Sequence, residues 1–306
     1  MAFTAADVKK LREMTNVGMM DCKKALTASD GDMDKAVEWL REKGLAAAAK
    51  KSGRIAAEGA VCAIVEDGVG AIVEVNCETD FAAQSDKFTG FVKDVADAVV
   101  KSAPADLDAL LAAPYPNSDK TVGEMIPEKV LVIGENLSIR RFLRYEGDCV
   151  AYVHGGGRIG VLVRFDADAA ASGSDALIEC GKDVAMQIAA LNAQYLDKST
   201  VPAEALAKEK EILVAQIQND PKNANKPEAI IAKMVDGRIG KFYETNCLLQ
   251  QAFVKNGDIT VEQYVADQAK AAGGAMKIAE FVRFEKGEGM QKREDNFADE
   301  VASMMK

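Results

Sequence analysis

Only one histidine, His154, occurs in 306 residues, and the six cysteines, Cys22, Cys62, Cys77, Cys149, Cys180 and Cys247, form no Cys-x-x-Cys pair. A zinc centre needs clustered Cys and His, so this pattern argues against one. The same scarcity narrows nucleophilic chemistry. A Ser-His-Asp triad would have to use His154, and no Gly-x-Ser-x-Gly elbow occurs. Gly155-Gly156-Gly157-Arg158 lacks the Gly-Lys-Ser/Thr ending of a phosphate loop and turns strand into strand rather than into a helix. Positive charge is also short: 38 Lys and Arg face 48 Asp and Glu, a formal net charge of −10, which argues against a nucleic-acid grip. The N-terminal region carries no apolar signal stretch, and no apolar run is long enough to span a bilayer. The expectation is a cytoplasmic protein with reduced thiols, no metal, no cofactor and no membrane contact.

What is present is a repeated pattern. Ala63-Ile64-Val65-Glu66-Asp67-Gly68 leading to Ala71-Ile72-Val73-Glu74-Val75 is echoed by Ala151-Tyr152-Val153-His154-Gly155-Gly156 leading to Ile159-Gly160-Val161-Leu162-Val163. Lys93-Asp94-Val95-Ala96 returns as Lys182-Asp183-Val184-Ala185, and Ile139-Arg140-Arg141-Phe142 as Ile278-Ala279-Glu280-Phe281. Each copy reads as hairpin, helix and later strand. Val75 to Ile139 is 64 positions and Val163 to Ile278 is 115, so the second copy carries 51 more residues. These read as a helical hairpin, opened by Pro202 and Pro227 on either side of a turn at 219–223.

The segment before the repeats reads as three short helices. Thr4 and Asp7 suit a helix start, Gly18 breaks the pattern, Asp30-Gly31-Asp32 makes a turn and cap, and Gly44 ends the third helix. This stretch resembles a ubiquitin-associated module. The run from Ala46 to Gly53 reads as a helical or flexible linker. Phe88, Phe91, Val92, Val95 and Val99 fall at helical spacing. Pro104, Pro114 and Pro116 mark a loop-rich connection, and Leu137, Ile139, Arg141 and Leu143 alternate as a strand would. The fold class is therefore α+β, divided as a helical module over 1–45, a linker over 46–55, a first core unit over 56–146, the start of a second over 147–197, the insert over 198–250, and a closing strand with a C-terminal helix over 251–306.

Only the first copy follows its hairpin with Asn76-Cys77-Glu78-Thr79-Asp80-Phe81, and an addition to one member of a repeated scaffold is a candidate site. Two readings stand side by side. Thr79 or Asp80 caps a helix whose first turn Phe81 anchors in the core, or Thr79, Asp80 and Phe81 form an exposed wedge, with an aromatic anchor beside a carboxylate. A thiol enzyme using Cys77 would need His154 nearby as its base. An adaptor for ubiquitin-like surfaces would place function in residues 1–45.

Several stretches together resemble the bacterial elongation factor Ts family, guanine-nucleotide exchange factors of elongation factor Tu. They are Leu11-Arg12-Glu13-Met14-Thr15, Gly18-Met19-Met20-Asp21-Cys22-Lys23-Lys24-Ala25-Leu26, Glu74 to Phe81, His154 to Val163, and Phe281-Val282-Arg283-Phe284-Glu285. The resemblance implies an exchange factor without bond-making chemistry. Its implied partner is the GTPase elongation factor Tu, with no direct nucleic-acid contact, and self-association is left open. It implies that Arg12, Met19, Met20 and Lys23 dock on the GTPase domain, with one of the two methionines expected to face inward. Asp80 and Phe81, with Thr79, become the wedge near the partner's magnesium site. Ile133, Gly134 and His154 approach the nucleotide side, and Met234 and Val235 touch another partner domain.

Overall fold

Capping chemistry sets the first three helices of the computed structural model, which describes residues 3–220 and 226–291. Thr4 and Asp7 close a capping box at α1 (Ala5–Thr15), Gly18 precedes α2 (Met19–Ala28), and the Asp32 side chain accepts from the Lys35 N–H at α3 (Met33–Lys51). Leu11, Cys22, Leu26, Ala36 and Leu40 share one buried cluster. The expected end at Gly44 is wrong. Gly44 lies buried inside α3, where an added Cβ would come within 3.0 Å of the Pro127 carbonyl oxygen. Its small size permits close helix packing, and residues 46–51 continue the helix.

Strands β1 (Glu58–Glu66) and β2 (Val69–Cys77) pair around Asp67 and Gly68, whose φ values of 48° and 75° suit a primed hairpin turn. After β2 come α4 (Asp80–Ala83), α5 (Asp86–Ser102), α6 (Leu107–Ala112) and α7 (Val122–Ile133), and then β3 (Ser138–Glu146), which pairs with β2. Phe88, Phe91, Val92, Val95 and Val99 line the buried face of α5, as their spacing predicts. The stretch expected as a loop-rich connection instead holds α6 and α7. Pro127 sits inside α7, and a proline that would ordinarily interrupt a helix obscures this one in the sequence. α7 packs between the first sheet's core and α3, placing Val130 in one cluster and Leu131 and Val132 against the other.

The second half follows the same order: β4 (Asp148–His154), β5 (Ile159–Ala167), α8 (Asp175–Leu191), α9 (Ala203–Asn219), α10 (Glu228–Asn246), the short β6 (Ala252–Phe253) and β7 (Asn256–Thr260), α11 (Val261–Ala272) and β8 (Met276–Glu285). The larger sheets are antiparallel, ordered β1-β2-β3 and β4-β5-β8. Both carry a register shift at matching places, leaving Arg140 out of register in β3 and Ala279 in β8. A one-residue shift exchanges the faces of a strand. Ile139 therefore joins the helix-covered core while Leu143 faces the other sheet, so the simple alternation read from Leu137 to Leu143 fails.

The two sheets pack face to face over Val61, Ile72, Leu162 and Phe284. α5 covers the outside of one sheet, and α8 with α11 covers the outside of the other. α9 and α10 pair over a separate seam of Leu213, Ile217, Val235 and Ile239. Residues 221–225 of the expected turn, and the C-terminal helix expected after the closing strand, lie outside the described residues.

Candidate functional site

The site is built at the end of β2. The Thr79 hydroxyl accepts from the Ala82 N–H at 3.2 Å and caps α4, a single turn. Ala82 and Ala83 face inward and are buried, whereas Asp80 is exposed and Phe81 is 86% exposed. Thr79 is thus a cap, but Phe81 is no core anchor. Small residues hold the turn down and an aromatic ring stands outward from it. Fully burying a phenylalanine is worth roughly 1.5–3 kcal/mol, and the isolated chain leaves most of that unrealised.

A carboxylate from another element fixes this turn. Glu135, just past α7, accepts from the backbone N–H groups of Glu78 and Thr79, both at 3.0 Å, and from the Thr79 hydroxyl at 2.6 Å. The Asn136 N–H donates to Glu78 at 2.7 Å, and Arg54 reaches the same carboxylate at 3.4 Å. The Asn136 side chain donates to the Arg54 carbonyl, and the Lys51 ammonium to the Gly134 carbonyl. Burial, with the nearby Arg54 charge, pushes the Lys51 ammonium below the ordinary lysine range. The end of α3, the end of α7 and the tip after β2 therefore share one polar junction. Glu135, Arg54 and Asn136 were missed in the sequence because their partners lie 24 to 82 positions away.

Deeper on β2, Glu74 is fully buried. Its carboxylate accepts from Arg141 at 2.6 Å, from Arg140 at 3.0 Å and from the Gly287 N–H at 2.8 Å. Burial alone would raise its pKa, but these three donors outweigh it and hold the carboxyl below the ordinary glutamate range. The pairing ties the segment after β8 to the first sheet. The Asn76 amide donates to Glu74 at 3.3 Å and to the Glu58 carbonyl at 3.0 Å.

The other expected site residues fall in three places. Arg12, Met19, Met20 and Lys23 are exposed on α1 and α2, and Met20 and Lys23 line a shallow groove with Lys24 and Thr27. One methionine was expected to turn inward; instead Met19 is 47% and Met20 65% exposed, because Cys22, Ala25 and Leu26 supply the buried face of α2. Ile133 is half-buried against the first core, and Gly134 ends α7 with φ 90° beside the tip. His154 is exposed at the end of β4, with its Nδ1 2.9 Å from the Tyr152 hydroxyl. No hydrogen bond, ion pair or ring contact among the described residues joins His154 to Thr79, Asp80 or Phe81. Met234 is half-buried and Val235 is buried in the seam between α9 and α10. The thiol-enzyme reading fails on chemistry: burial, with Glu135 nearby, pushes the Cys77 thiol up to about 12, and its sulfur lies 3.2 Å from the Thr79 carbonyl oxygen.

A family model described as Elongation factor TS matches residues 78–288. The chain is 51% identical to an elongation factor Ts of Clostridium perfringens, covering 98% of each chain. It is 50% identical to the elongation factor Ts of Clostridioides difficile and 49% identical to that of Clostridium tetani, covering 99% of each chain in both cases.

Proposed function

This chain belongs to the elongation factor Ts family, and we propose on that basis that it acts in the cytoplasm as the guanine-nucleotide exchange factor of elongation factor Tu. The observation that carries the mechanism is the Thr79-Asp80-Phe81 turn, which presents an exposed ring on a braced backbone. Phe81 enters the GTPase as a wedge, and Asp80 brings a carboxylate beside it. The wedge shifts elements that hold Mg²⁺ and the phosphate loop, and GDP leaves.

The action is linkage rather than bond chemistry. A factor that binds the nucleotide-free GTPase more tightly than the GDP-bound form must have its own binding weakened by GDP by the same factor. Burying the Phe81 ring in a pocket formed only in the distorted partner supplies such a difference.

The three-helix segment, which resembles a ubiquitin-associated module, docks through Arg12, Met19, Met20 and Lys23. The two sheet units are copies of one ancestral unit, and the α9–α10 hairpin is an insert in the second. Ile133 and Gly134 approach the nucleotide side next to the wedge, and His154 does so from the end of β4. Met234 makes the hairpin's outward contact, and Val235 supports it from within the seam. Release of labelled GDP from purified elongation factor Tu, timed with and without this protein, tests the reading. Faster release with the protein supports it, and an unchanged rate overturns it.

A further inference from the structure

The wedge needs a fixed direction, and a four-residue helix cannot supply one. A single turn closes too few backbone hydrogen bonds to be stable alone. What holds the turn lies outside it. Glu135 takes both backbone N–H groups that lead into α4 and also the hydroxyl of its cap. Glu135 is itself placed by the left-handed Gly134, whose carbonyl receives Lys51 from the end of α3. Asn136, on its other side, holds Glu78 and the Arg54 carbonyl.

We propose that Glu135 is the positioning residue that sets the angle of the Phe81 wedge relative to the docking helices, a role that rests on the exchange-factor reading. Three charge-assisted hydrogen bonds converge on one carboxylate and define a single orientation of the turn. Without them α4 still forms, because Thr79 still caps it and Ala82 and Ala83 still pack, but the ring samples many directions. The docking surface on α1 and α2 is untouched, so the loss falls on the rate within the complex and not on its formation.

The test uses the full chain and three substitutions. Glu135→Ala removes every bond. Glu135→Gln keeps the reach, with an amide oxygen for the two N–H groups and an amide N–H for the hydroxyl. Glu135→Asp keeps the charge and shortens the reach. Residue-resolved hydrogen exchange in the free protein reads the brace itself. The Glu78 and Thr79 amides should exchange at least about tenfold faster in Glu135→Ala, the change expected from losing charged hydrogen bonds. Stopped-flow GDP release against factor concentration reads the consequence. The maximal rate should fall about tenfold in Glu135→Ala and clearly in Glu135→Asp, with Glu135→Gln near wild type and the half-saturating concentration moving less than about threefold.

Unchanged amide exchange in Glu135→Ala overturns the brace. A Glu135→Asp variant as active as wild type reduces the role to charge and overturns positioning. So does a shift confined to half-saturation, which would make Glu135 part of docking. Wild-type protein that leaves GDP release at its basal rate overturns the exchange reading together with this role. Fast wild-type release with equally fast Glu135→Ala release overturns this role alone.

Discussion

Gly70 in one sheet and Gly160 in the other leave room for each other's neighbours. A Cβ on Gly160 would strike the Val61 side chain and come within 3.2 Å of Ile72, while one on Gly70 would come within 2.7 Å of Leu162 and 3.0 Å of Cys149. In strand pairing, Ile72 faces Leu143 as Leu162 faces Val282, so the two clashes are equivalent, one from each sheet. Such self-complementary packing is the geometry of a two-fold interface, built here within one chain.

Gly160→Ala should therefore cost about 1–3 kcal/mol, as overpacking of a closed core does. Denaturant unfolding gives the value. Combining it with Val61→Ala should recover part of the loss, with a coupling of roughly 0.5–3 kcal/mol. Strictly additive effects would show that the sheet-to-sheet contact is not the cause.

Glu74 predicts an acid-sensitive contribution. Its folded pKa lies below the ordinary value of 4.5, so its stabilising effect is complete above that pH and is lost as pH falls through the folded pKa. Glu74→Gln should cost on the order of 3 kcal/mol at pH 7, since it leaves two guanidinium groups facing a buried neutral partner. The gap between wild type and variant, measured by urea unfolding from pH 7 to pH 3.5, should narrow below pH 4.5. A gap independent of pH would remove Glu74 from the acid response.

The α9–α10 hairpin should be removable, but at limits closer than 198–250. Its seam is its own, and the chain on either side meets where Tyr195 bridges Cys247. Replacing residues 203–245 with a short linker should leave one cooperative unfolding transition for the rest. Cutting 198–250 also removes Leu248, which is fully buried in the second core, and should cost a further 2–5 kcal/mol or so. Equal stability of the two deletions would place Leu248 outside that core.

The elements that were legible in the sequence share a cause: their signal is local. The capping box of Thr4 and Asp7, the Asp67-Gly68 turn and the apolar face of α5 each declare themselves within a few residues. The third echo was legible to the residue, since Arg140 and Ala279, aligned by sequence, are the two positions left out of register. What failed depends on distance. Gly44 reads as a helix end until Pro127 is found against it, and α7 is hidden by the proline within it. Thr79 could be recognised as a cap, but the exposure of Phe81 follows from Ala82 and Ala83 filling the space beneath, which no spacing rule reports. Glu135 was invisible because its role exists only once α7 and β2 end side by side.

Phe81 separates stability from function most directly. With Phe81 86% exposed, Phe81→Ala should change unfolding free energy by less than about 1 kcal/mol, whereas Phe88→Ala, fully buried in α5, should lose about 3–5 kcal/mol. The central measurement is stopped-flow release of labelled GDP from elongation factor Tu at saturating Phe81→Ala protein, with its thermal unfolding recorded on the same sample. The account predicts wild-type unfolding and a release rate far below that with the wild-type factor. A destabilised variant that still releases GDP at the wild-type rate per folded molecule would contradict it.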